Sequence, residues 1–168
     1  SAEQFNEEYF TAIPEKISFG GKDYIRVEPK LLRSLSREAF TQIAFRFRPA
    51  HLKAIASIAA DPGASENDRF TASLLLKNAR IAARGKLPIC QDTGAAVIFA
   101  FKGKNILPDG GDENALAEGV KDAYESNPLR HSILTPLSMF DEKNTMTNLP
   151  AQVEIMTGDY EDYHLLFT

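Results

Sequence analysis

The residues best equipped for chemistry stand together in the stretch LPICQDTG, residues 87–94, which holds the one cysteine of the 168-residue sequence, Cys90. A thiol beside a carboxylate, in a segment bounded by Pro88 and Gly94, has three readings. A free cysteine is most often a small buried hydrophobe, but Gln91, Asp92, Thr93 and Gly94 are polar or turn-forming and make a wholly apolar burial awkward. A nucleophilic thiol needs a base and a neighbour that favours the thiolate. The histidines are His51, His131 and His164; none lies in a catalytic-cysteine signature, and an adjacent carboxylate disfavours the thiolate. The third reading is a metal or iron–sulfur ligand, which suits such a loop. One cysteine cannot hold a cluster, so the other ligands must come from outside these residues. A second candidate is Arg130 in NPLRHS, residues 127–132. Its planar guanidinium matches a carboxylate, and its plain alternative is a surface arginine.

The bulk properties exclude several classes of partner. The net charge is −4 and the basic residues are scattered, so there is no electrostatic footprint for nucleic acid or an anionic membrane. No stretch reaches the roughly 18 uninterrupted apolar residues of a membrane-spanning helix. The opening SAEQFNEEYF is acidic and lacks the basic and apolar regions of a signal peptide. A single cysteine leaves no internal disulfide, and the expected setting is the reducing cytoplasm. The Gly110-Gly111-Asp112 run has no GxGxxG or phosphate-loop context and reads as a helix start.

The elements that must position these residues follow from apolar periodicity. Ile17, Phe19, Ile25 and Val27 alternate about Gly20-Gly21 and predict a β-hairpin. Pro29 opens a helix whose Leu35, Ala39, Ile43 and Phe47 recur every four residues on one face, and Arg48-Pro49 ends it. A second helix spans 50–60 with Leu52, Ile55 and Ile58 inward. Ser65, followed by Glu66 and Asp68, caps a third, which runs to Arg84 with Gly85 as its C-cap. Residues 95–103 form a buried strand. Asp112 caps a helix over 113–126 with Leu116, Val120 and Tyr124 on one face. Residues 127–148 are mostly irregular, and 151–168 make two strands joined at Gly158-Asp159. The fold class is α+β: an N-terminal hairpin and helices packed on a mixed or antiparallel sheet. All 168 residues are read as one domain fragment of a larger enzyme, because the sequence stops inside an apolar strand pattern. An edge strand exposed there invites pairing with another chain.

From about residue 39 onward the sequence resembles the N-terminal part of class I fumarate hydratase, the iron–sulfur-dependent fumarase. The resemblance is carried by ordered motifs: RPAH (48–51), DPGASENDRF (61–70), LPICQDTG (87–94), GGDENALAEGV (110–120), NPLRHS (127–132), PLSMF (136–140) and NLPAQ (148–152). It implies reversible hydration of fumarate to (S)-malate with a [4Fe–4S] cluster held by three cysteines and one iron left open. By the same resemblance Cys90 is the first of the three cluster ligands. Gln91, Asp92 and Arg130 are the substrate-binding residues, with Arg130 on a carboxylate of the small dicarboxylate. Asp92 is the catalytic candidate, orienting substrate or taking part in proton transfer. The intact enzyme is expected to be a homodimer, and these residues alone are expected to be inactive. His131 is read as structural. Asn144, Thr145 and Asn148 either shape the pocket or make a turn. Met146 stands where the family has glycine, which leaves substrate preference open. Tartrate dehydratase and mesaconate hydratase share these blocks, and a non-catalytic domain is the reading from another class.

Overall fold

A computed structural model describes residues 14–168, so the acidic opening lies outside the described residues. In chain order the elements are β1 (Glu15–Phe19), β2 (Lys22–Val27), α1 (Pro29–Phe45), α2 (Pro49–Ala60), α3 (Glu66–Ala82), β3 (Val97–Gly103), β4 (Ile106–Pro108), α4 (Asp112–Ser126), β5 (Leu134–Pro136), β6 (Glu142–Asn144), β7 (Gln152–Gly158) and β8 (Tyr163–Phe167). They form two compact units. One takes in the described residues up to Thr41 together with Thr93–Thr168; the other is Gln42–Asp92. None of the described helices is long and apolar enough to cross a membrane.

In the first unit the expected hairpin is present, with Phe19 paired to Lys22. Gly20 and Gly21 both have positive φ, the requirement of a two-residue turn whose twist matches the strands. Strand β4 joins β2 in parallel, Ile25 opposite Ile106. A second sheet has the order β7-β3-β8. Its middle strand carries Ile98 and Ala100, both fully buried, and removing the Ile98 side chain from water stabilises by about 2 kcal/mol. Strand β7 runs parallel to β3 and β8 antiparallel. The two C-terminal strands are therefore present as expected but lie on opposite sides of β3. Strand β8 pairs with β3 and lies at one edge of the sheet among the described residues. Phe40 meets Phe167 edge to face, ring centroids 5.7 Å apart.

Helix α4 buries Leu116, Val120, Ala123 and Tyr124, the face its spacing predicts. The buried face of α1 differs from the expected one. Leu32, Ser36, Ala39 and Phe40 are buried, Ile43 is exposed, and Phe47 lies beyond the helix end. The cause is a close crossing at Gly119. A Cβ there would lie 2.4 Å from the Arg33 carbonyl oxygen and 2.6 Å from the Ser36 Cβ. The crossing turns the 32/36/40 row inward, and the Ser36 hydroxyl donates to the Leu116 carbonyl at 2.8 Å. Arg33 and Asp122 link the two helices further, with Nε–Oδ2 at 2.6 Å. Asp112 also departs from expectation. It is the first helical residue, preceded by Gly111, and no side chain caps the helix. Its carboxylate instead accepts from Tyr163 Oη at 2.9 Å and Lys102 Nζ at 3.3 Å. Burial and that carboxylate push the Tyr163 hydroxyl above its ordinary value.

The second unit holds the end of α1, then α2 and α3. Pro49 at the first turn of α2 follows an extended Arg48, as proline requires of its neighbour. Ile55 is buried, but Ile58, expected inward, is 45% exposed. Ser65 caps α3 as predicted, its hydroxyl accepting from the Asp68 N–H at 3.1 Å. The buried face of α3 is Ala72, Ala79 and Ala82. The helix ends at Ala82 with Ala83 as cap, so Gly85 falls in the turn beyond.

Candidate functional site

Cys90 follows a firmly held residue. The Ile89 N–H donates to the Ala44 carbonyl at 2.8 Å, and Asn78 Nδ2 donates to the Ile89 carbonyl at 2.8 Å. Pro88 is buried. The chain then turns outward, and Cys90, Gln91 and Asp92 are all exposed. The thiol is therefore not buried among the described residues. The Asp92 N–H donates to Cys90 Sγ at 3.3 Å.

Among the described residues no group of three His, Cys, Asp or Glu side chains is arranged to hold a metal ion. The donor set fits an iron–sulfur cluster only in part. One accessible free thiol can supply one ligand, and nothing else described here completes the set.

Arg130 belongs to the other unit, so the two halves of the expected site lie on different compact units. Its segment carries a dense set of side-chain bonds to backbone. Thr93 Oγ1 donates to the Arg130 carbonyl at 2.5 Å and lies 3.1 Å from Ser132 Oγ. Asn144 Nδ2 donates to the His131 carbonyl at 2.8 Å. Asn148 Oδ1 accepts from the Ser132 N–H at 2.6 Å, and Asn148 Nδ2 donates to the Gly94 carbonyl at 3.1 Å. The Thr145 N–H donates to the Ile133 carbonyl at 3.1 Å. Four consecutive residues, 130–133, are thus each held through the main chain, while the Arg130 side chain sits on an exposed residue.

His131 packs beside helix α4. Its ring centroid is 6.0 Å from that of Tyr124, and its Nδ1 is buried without a hydrogen-bond partner among the described residues, as is Thr145 Oγ1. Burial raises the Tyr124 hydroxyl above its ordinary value. Met146, where glycine was expected, has φ +58°, a backbone state that glycine adopts freely and other residues rarely do. The stretch read as irregular contains β5 and β6, which pair Leu134 with Asn144.

Comparison with known proteins agrees with the motifs. A model of the family described as Fumarate hydratase (Fumerase) matches residues 33–168. "Fumarate hydratase class I, aerobic" of Escherichia coli is 45% identical over 162 residues, covering 95% of this chain and 30% of that protein. "Fumarate hydratase 1, mitochondrial" of Leishmania major is 43% identical over 148 residues, 88% of this chain and 27% of that protein. More distant is the "Putative L(+)-tartrate dehydratase subunit alpha" of Methanocaldococcus jannaschii, 32% identical over 127 residues, 74% of this chain and 43% of that protein. The chain spans about 30% of the length of the class I relatives it matches.

Proposed function

The chain belongs to the fumarate hydratase family, and from that premise we propose that it is the N-terminal portion of a hydro-lyase that interconverts fumarate and (S)-malate. The observation that carries this most is Cys90, an exposed free thiol placed directly after an anchored residue. Cys90 would supply one thiolate to a [4Fe–4S] cluster, with the other two from chain beyond these residues. When bound, such a cluster with an open iron supplies a Lewis acid toward substrate oxygen.

The remaining roles fall to side chains of this chain. Arg130 binds one carboxylate of the dicarboxylate through its planar fork and stabilises charge that builds there. Gln91 and Asp92 line the pocket beside the thiolate. The Asp92 carboxylate orients the substrate or moves the proton on the carbon next to the hydroxyl-bearing one. These residues alone do not turn over substrate, since the ligand set is incomplete. The same family reading carries a homodimer in the cytoplasm.

The test is Cys90→Ser in the complete protein, assayed without oxygen. We expect loss of cluster absorbance and of fumarate hydration together, and retained activity overturns the proposal. A second reading has its own support. The match to the tartrate dehydratase subunit covers a larger share of that relative, and Met146 departs from the family glycine. A substrate panel of fumarate, tartrate and mesaconate on the complete protein separates the two.

A further inference from the structure

The chemistry proposed for the site leaves Asn148 without a role, yet its side chain holds the Arg130 segment at the Ser132 N–H. Asn148 is completely buried, at 0% exposure. An asparagine that only makes a turn bonds its own backbone two residues away, as Asn144 Oδ1 does with the Met146 N–H at 2.8 Å. Asn148 does something else. Its amide spans two distant strips of chain, with Oδ1 on the Ser132 N–H, 16 residues back, and Nδ2 on the Gly94 carbonyl, 54 residues back. Gly94 follows Thr93, whose hydroxyl holds the Arg130 carbonyl. The bonds therefore tie 93–94 to the main chain that follows the arginine, at the Arg130 carbonyl and the Ser132 N–H. The φ of +56° at Asn148 is one that asparagine tolerates better than most residues. Only a short side chain with a donor and an acceptor can make both bonds from that backbone.

We propose that Asn148 is a positioning residue for the carboxylate-binding arginine: through the Ser132 N–H it fixes the main chain that follows Arg130, so that the guanidinium fork is already aimed when a dicarboxylate arrives. The proposal rests on Arg130 as a substrate contact. A fork that binds two oxygens at once is directional, and misplacement by about 1 Å can cost on the order of a hundredfold. Arg130 itself is not released from the site when Asn148 is altered; it loses its preset direction.

The experiment is steady-state kinetics on the complete, cluster-loaded protein with fumarate and with malate. Asn148→Asp keeps the acceptor for the Ser132 N–H and loses the donor to Gly94. Asn148→Gly keeps the backbone conformation and loses both. KM should rise in both variants, by about tenfold for Asn148→Gly, the scale of one lost bond to a charged group. kcat per cluster should change much less. In an Arg130→Lys background Asn148→Gly should add little, because the fork it aims is gone. If Asn148 is merely structural, the variants lower the melting temperature and the active fraction, leave KM unchanged, and multiply with Arg130→Lys; that result overturns the proposal. Should Asn148→Gly fail to fold, Asn148→Ser, which is small and buries no charge, gives the same KM test. Failure of the underlying role shows separately: Arg130→Lys would then leave KM at the wild-type value.

Discussion

The segment bearing Cys90 and the segment bearing Arg130 are held in opposite ways. Two backbone hooks on Ile89 fix the base of the first, after which the chain runs into solvent. The second is held at residues 130–133 by Thr93, Asn144, Thr145 and Asn148. The contrast fits the role proposed for each side chain. A thiolate that is to bind metal needs access and a fixed starting point, because metal–sulfur bonds then set its direction. An arginine proposed to meet a planar carboxylate gains when its direction is built into the protein beforehand.

Among the side chains that support the two segments, the largest effect should come from Thr93→Val in the complete protein. The change keeps the shape and removes the bonds to the Arg130 carbonyl and Ser132. We expect KM for the dicarboxylate to rise about fivefold, as for roughly 1 kcal/mol of lost binding, with cluster absorbance unchanged. Unchanged KM would erase the distinction drawn for the Arg130 segment.

Asn78→Ala probes the other segment. It leaves the Ile89 carbonyl without the Asn78 amide, which costs about 1 kcal/mol. The expected reading is faster cluster loss to an iron chelator at constant KM. A change in KM instead would mean that this loop also sets substrate geometry.

Asp122→Asn tests the helical frame beneath the Arg130 segment. Hydrogen bonding to Arg33 holds the Asp122 carboxyl below its ordinary value of 3.8. Its stabilisation is therefore fully present above that value and lost as pH falls through the lower folded one. The variant should be less stable near neutrality by under about 1 kcal/mol, since the Arg33 side chain is largely exposed. In denaturation curves that difference should close as pH drops below the ordinary carboxylate range. A gap that widens in acid would contradict the sign.

Met146→Gly is the smallest. It relieves a left-handed backbone at an exposed side chain, worth about 1 kcal/mol, partly offset by the entropy glycine loses on folding. A gain of about 0.5 kcal/mol in denaturant melts is expected, and a loss would mean that the Met146 side chain packs more than its exposure implies.

Much of this frame is legible in the sequence, where local chemistry dictates it. Gly20-Gly21 between alternating apolar residues, Ser65 three residues before Asp68, and the Leu116/Val120/Tyr124 row each become the element they predict. The misses are tertiary. The α1 face depends on a close crossing at Gly119, which no periodicity within α1 reveals. Strands β4, β5 and β6 have three residues each, too few for an alternation to show. The separation of β7 and β8 by β3 is a long-range pairing. At the site, motifs point to Cys90, Gln91, Asp92 and Arg130. The roles of Thr93 and Asn148 are invisible there, because their partners lie 37 and 54 residues away. The one local signal was the pairing of Asn144 with Asn148 in a loop that shows no periodicity.

The central claim is that Cys90 serves the cluster and Arg130 serves the substrate. Anaerobic absorbance and KM, measured side by side on Cys90→Ser and Arg130→Lys of the complete protein, test it most directly. The account predicts a crossed result. Cys90→Ser loses the cluster absorbance and all turnover, while Arg130→Lys keeps the full absorbance and raises KM for the dicarboxylate about tenfold. A Cys90→Ser protein with an intact cluster, or an Arg130→Lys protein with unaltered KM, would contradict it.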